Sequence, residues 1–261
     1  MRRRAPEDEI RAYYRALLNV WGNQHWWPAQ SRFEVIVGTY LTQNTSWTNV
    51  EKALANLRQA RALNPAAIAG MRLADLEPLV RPAGYFRQKA ARLKQFVEFL
   101  NTKYGGSLTR MFRRPAEKLR PELLALNGVG PETADCILLY AGGYPAFVVD
   151  GYTRRILARH GLINLSDRYD DIRRLVEGAL LASQAVKIPP EVSPTAHKPS
   201  RMSRARRSAA AQRYNEMHGL IVTTGKLHCH KHAPHCEGCP LKPLLPRGGP
   251  RDTLPYNEVN R

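Results

Sequence analysis

No stretch of this sequence stays apolar for the roughly 18–20 residues that a membrane-spanning helix needs, so it offers no candidate span. The opening MRRRAPEDEI carries charge but no apolar core, which argues against a secretory signal. Acidic residues are scarce: 22 Asp and Glu stand against 40 Lys and Arg, for a formal net charge of +18. That imbalance favours a polyanionic partner, nucleic acid ahead of an anionic membrane surface. Cysteine is scarce as well. Of the four present, three crowd into residues 229–239, which suggests a metal or cluster site in a reducing compartment rather than a disulfide scaffold. Sustained apolar/polar alternation is missing too, so the chain reads as all-α.

What is present is helical periodicity. The 261 residues, 43% of them hydrophobic, suffice for one large domain or two small ones with a proper core. Ile10, Tyr13, Tyr14, Leu17, Leu18 and Trp21 fall on one helical face. Ser31 and Glu34 form a capping box that opens SRFEVIVGTYLTQ. A third helix covers about 49–62, and FRQKAARLKQFVEFLNTKY is a long basic helix ending at Gly105. PAEKLRPELLAL leads into NGVG, and PETADCILLYAGG restarts a helix with Pro131 at its first position. YTRRILARHGL and YDDIRRLVEGALLAS continue the series. Residues 185–206, rich in Pro, Ser, Arg and Lys, break the pattern and read as a solvated, mobile insertion.

The most informative stretch is LNGVGPETADCILLYAGGYPAFVVDGYTRRIL. Gly128 and Gly130 bracket Val129 between two helices, where glycine lets the backbone approach a ligand closely. The helix that follows aims free N–H groups and the positive end of its dipole at the same place, which suits a phosphate. Twenty residues after Gly130, the apolar AFVV ends in Asp150, which can also serve as the N-cap of the next helix.

This segment resembles the helix-hairpin-helix/Gly-Pro-Asp superfamily of DNA glycosylases, in its endonuclease III branch. The resemblance implies an all-α, two-lobed fold with the active site in the cleft between lobes: one lobe of residues 31–145 with the hairpin, the other of 1–30 plus 146–261. It implies that Gly128, Val129, Gly130 and Thr133 grip the DNA backbone and that Asp150 is the catalytic aspartate. LTQNTS resembles the loop whose glutamine enters the duplex gap, here Gln43, and VRPAGYFRQKAARL the segment that wedges the opposite strand, here Tyr85. Bifunctional members carry a Schiff-base lysine two residues after the last hairpin glycine. Here Glu132 stands there, and a carboxylate forms no imine with the sugar. The expectation is a monofunctional glycosylase of base excision repair, hydrolysing the N-glycosidic bond of a damaged base in double-stranded DNA.

Within that branch the chain is most similar to the bacterial 3-methyladenine glycosylase subgroup. The resemblance puts Trp26, Trp27, Pro28, Trp47 and Lys226 around the base, with Glu132 as a further candidate contact. A cationic alkylated purine suits an indole face, which attracts a cation by about 0.5–2 kcal/mol. Such a base already leaves readily, so Asp150 could suffice. Alternatives are an endonuclease III-like glycosylase/AP lyase, a glycosylase for an oxidised pyrimidine, uracil or a mismatch, and a non-catalytic DNA-binding module.

Cys229, Cys236 and Cys239 match three ligands of the branch's iron–sulfur loop, C-x6-C-x2-C-x5-C; the fourth position is Leu245. His228, His230, His232 or His235 could complete a structural [4Fe–4S] or zinc site, although the hydrolysis itself calls for no cofactor. Cys136 reads as a small buried apolar residue. The remaining expectations are a monomer, no membrane association, and a cytoplasmic, nucleoid-associated location.

Overall fold

The structure, a computed structural model, describes residues 5–182 and 196–251. Its helices are α1 (Pro6–Trp21), α2 (Arg32–Thr42), α3 (Trp47–Gln59), α4 (Pro65–Gly70), α5 (Leu73–Val80), α6 (Phe86–Tyr104), α7 (Leu108–Met111), α8 (Ala116–Leu124), α9 (Pro131–Cys136), α10 (Gly151–Arg159), α11 (Tyr169–Leu181) and α12 (Ala209–Leu227). Short 3-10 turns cover Arg81–Ala83 and Lys242–Leu244, and α9 continues as a π-helical turn over Ile137–Gly142. Among the described residues there is no strand, only an isolated bridge between Cys229 and Pro234, so the all-α reading holds. No described helix is long and apolar enough to cross a membrane.

Local sequence chemistry accounts for many of the boundaries. Ser31 Oγ accepts the Glu34 N–H at 3.1 Å. The Glu34 carboxylate reaches back to the N–H of Gln30, at 2.9 Å, one residue earlier than a standard capping box would have it. Arg58 donates to the other Glu34 oxygen at 2.7 Å, which ties α3 to the start of α2. The long basic helix α6 opens after Tyr85, a left-handed residue that is 67% exposed, and closes at Gly105.

The chain separates into two compact units. One is Ala29–Tyr144, the other Met1–Pro28 together with Pro145–Arg261. In the first, α2, α3, α5 and α6 pack around Val35, Ile36, Leu54, Leu57, Leu93 and Phe96. In the second, α1 lies against α11 and α12, and α10 against α12, around Ile10, Leu17, Ile156, Val176 and Leu220. Each such aliphatic side chain contributes about 1.5–3 kcal/mol when fully buried. The apolar run ending at Asp150 is buried in the second unit without joining a sheet. Side chains satisfy its backbone donors instead: the Phe147 N–H donates to Glu177 at 2.8 Å and the Val149 N–H to the Tyr169 hydroxyl at 3.2 Å.

Of the expected insertion at 185–206, residues 185–195 lie outside the described residues. The remainder is anchored. His197 donates its N–H to the Gln24 carbonyl at 3.2 Å, Ser200 donates its hydroxyl to the Trp27 carbonyl at 3.3 Å, and Ser200 and Met202 are buried. Composition reads these residues as solvated because their partners lie some 170 residues earlier, in the loop after α1.

Candidate active site

In the second unit, Asp150 caps α10 with a fixed carboxylate. Its Oδ1 accepts the Thr153 N–H at 2.7 Å and the Thr153 hydroxyl at 2.9 Å. Its Oδ2 lies 3.5 Å from Nε2 of His218 on α12. Burial by itself would raise the Asp150 carboxyl. The His218 imidazole and the Thr153 donors outweigh it and hold the carboxyl below the usual carboxylate range. Its capping role and its presentation as an ionised group are thus one arrangement, with one oxygen fixed by the helix terminus and the other turned toward the histidine.

Trp26 and Trp27, joined by a cis peptide bond, sit beside this carboxylate's partner. Trp26 is 9% exposed and Trp27 4%. The Trp26 ring meets Trp27 edge-on at 5.8 Å, His197 at 5.1 Å and His218 at 6.1 Å, and the Lys226 ammonium stands 5.9 Å from its centroid. Gly219 permits this packing, since a Cβ there would lie 3.1 Å from Cβ of Trp26 and 3.2 Å from Cβ of Gln24. Gln24 is tied to α12 as well, by the Thr223 hydroxyl donating to its Oε1 at 2.8 Å. Helix α12 therefore brings Trp26, Lys226 and His218 into one cluster, with Pro28 half-buried at the end of the same loop. Sequence reasoning missed His218 and His197. The signal available for His218 was a histidine in an otherwise apolar turn, MHGLIV, and spacing alone does not separate that from a core histidine.

The other predicted residues belong to the first unit. The hairpin runs from α8 through Gly128 and Val129 to Gly130, the N-cap of α9. Gly128 has φ +75°, and a Cβ on it would stand 2.1 Å from Nε of Arg92. Arg92 donates to Gln43 Oε1 at 2.9 Å, while Gln43 Nε2 donates to the Gly128 carbonyl and to the Thr133 hydroxyl, both at 3.0 Å. Gln43, Arg92, Gly128 and Thr133 form one network, so the glutamine's amide is engaged with the hairpin. Glu132 is exposed in the first turn of α9, where its charge complements the helix dipole. Tyr85 projects from the start of α6, and Trp47 opens α3, half-buried.

The loop after α12 brings Cys229, Cys236, Cys239 and Leu245 to one pocket, with His160, His228 and His235 also lining it. Among the described residues, no group of three or more His, Cys, Asp or Glu side chains is arranged to hold a metal ion. Arg159 donates to Cys229 Sγ at 3.2 Å and to the carbonyls of His230 and Lys231 at 2.6 and 2.8 Å. Arg155 adds a bond to the Cys229 carbonyl at 2.7 Å. Burial pushes the Cys236 and Cys239 thiols up. Burial also lowers His160 to about 4. With an apolar residue at the fourth position, this donor set does not fit a four-thiolate [4Fe–4S] cluster. Cys136 is buried, as expected.

Comparison with known proteins is consistent with this geometry. The description "HhH-GPD superfamily base excision DNA repair protein" matches residues 37–180. A DNA repair glycosylase of Methanocaldococcus jannaschii is 40% identical over 237 residues, which cover 90% of this chain and 94% of that protein. Endonuclease III of Bacillus subtilis is 26% identical over 220 residues, 84% of this chain and 83% of its own. Among solved structures, H. pylori 3-methyladenine DNA glycosylase bound to 1,N6-ethenoadenine superposes with a TM-score of 0.67 at 27% identity, covering 85% of this chain and 98% of that one.

Proposed function

This chain belongs to the HhH-GPD superfamily of base excision DNA repair proteins, and from that premise we propose that it is a monofunctional DNA glycosylase acting on an alkylated purine in double-stranded DNA. The observation that carries the reading is Asp150, a largely enclosed carboxylate kept ionised and fixed through Oδ1. As the base departs, positive charge develops on the sugar. A preorganised carboxylate in a poorly solvated setting stabilises that charge and orients the attacking water. Glu132, at the position of the family's Schiff-base lysine, supports hydrolysis without strand cleavage, because an exposed carboxylate offers no amine to the sugar. The tryptophan pair beside His218 supports an aromatic base site, and the likeness to the H. pylori enzyme supports a purine lesion.

One observation favours a second reading. The Lys226 ammonium already faces the Trp26 ring. A second cation there would be repelled, whereas a neutral base bearing carbonyl oxygens would find a donor. The two readings separate in one experiment, in which base release is measured on methylated DNA and on duplexes containing uracil, an oxidised pyrimidine or a mismatch, each followed by borohydride treatment. The proposal expects release of methylated purines and no trapped covalent adduct. Release from the uracil, oxidised or mismatch substrates alone selects the second reading, and a trapped adduct refutes the monofunctional assignment.

A further inference from the structure

His218 is only 4% exposed and is set between the ring edges of Trp26, at 6.1 Å, and Phe147, at 6.2 Å. What distinguishes the imidazole is its aim. Nε2 points at Asp150 Oδ2 from 3.5 Å, the oxygen that Thr153 leaves unengaged. The two residues are 68 positions apart in sequence, and α10 and α12 pack directly against each other. Other titratable or charged groups near the pair are Tyr152 next to Asp150 on α10, with Arg155 over its ring, and Lys226 and His197 against Trp26.

We propose that His218 is a positioning residue for Asp150: its Nε2 edge orients Oδ2 and keeps the carboxylate directed at the departing sugar. The inference rests on Asp150 being the carboxylate of the proposed hydrolysis. With Oδ1 bound twice and Oδ2 faced by the imidazole, the carboxylate has little freedom to rotate. A misdirected carboxylate would lose much of its stabilisation of the transition state, because such effects depend steeply on geometry. Removing the imidazole also removes the main influence that opposes burial, so the Asp150 carboxyl should titrate at higher pH.

Two variants and two readouts test this in the full-length protein. His218→Met keeps the volume without a donor, and His218→Gln places an amide N–H near the Nε2 position without a charge. Carboxyl NMR titration of the DNA-free protein should show Asp150 moving up by about one pH unit or more in His218→Met. Single-turnover base release should slow by about 10- to 100-fold, its acid limb should move to higher pH, and DNA binding should hold. His218→Gln should recover much of the rate but not the acid limb. The proposal is overturned if Asp150 titrates alike in wild type and both variants, or if folded His218→Met releases base at the wild-type rate. Asp150→Asn is the control for the premise. Were it to keep full activity, the catalytic reading of Asp150 would fall, and the NMR arm alone would decide whether His218 governs the Asp150 carboxylate.

Discussion

A single carboxylate combines a helix cap with an ionised oxygen turned toward a histidine. Asp150 caps α10 through Thr153 and is simultaneously held ionised beside His218. Asn would preserve much of the cap, being a comparable N-cap residue, while removing the charge. Asp150→Asn should therefore retain DNA binding and lose base release by about 10²–10⁴-fold, read by single-turnover kinetics alongside a binding titration. The depressed carboxyl has a thermodynamic counterpart. Its stabilisation is fully present above the unfolded carboxylate pKa of about 3.9, and is lost as pH falls through the lower native value. The melting temperature of wild type should thus exceed that of Asp150→Asn at neutral pH, and the gap should narrow as the pH falls below the unfolded carboxylate pKa. Trp26 shows the opposite limit of residue-level reading. The sequence displays WWP as an oddity at a helix end, yet the ring is enclosed by Trp27, His197, His218 and Lys226. Truncating it to Ala would cost about 3–5 kcal/mol of packing as well as any contact with a base, so loss of activity in that variant would not by itself identify a base-binding role.

Between elements, the hairpin depends on its neighbours. The GVG turn and Pro131 were legible because a left-handed residue and a helix start have local sequence signatures. That Arg92 of α6 fills the space over Gly128, and that Gln43 bridges it to Thr133, was not legible, since these contacts span 36 to 90 positions and leave no periodic trace. Gly128→Ala should impose left-handed strain of about 1–2 kcal/mol and displace the Arg92 side chain. A lowered urea midpoint and weaker DNA binding are expected, with Asp150 and its Thr153 bonds unaffected. The cysteine loop is likewise organised by a neighbouring element, the α10 arginines. Arg159 makes three hydrogen bonds to Cys229–Lys231, contacts that a count of cysteine ligands gives no reason to expect.

Across the whole molecule, charge is the dominant property. With a formal net charge of +18, association with duplex DNA should be driven by counterion release. Affinity for an undamaged duplex should fall by about 10³–10⁵-fold between 50 and 200 mM salt if roughly 6–10 phosphates are contacted, as fluorescence anisotropy would record. A flat salt dependence would mean that the basic excess is simply composition. Helix content, the caps at Ser31 and Asp150, the glycine turn at Gly128 and the all-α family were determined by the sequence itself, because each is set by interactions within a few residues or by summed charge. The tertiary structure alone decided which side chains meet. It put His218 behind Asp150, Lys226 and His197 against Trp26, and Arg92 over Gly128. Those pairings follow from helices that pack far from one another in sequence, and a linear pattern carries no record of which faces come together.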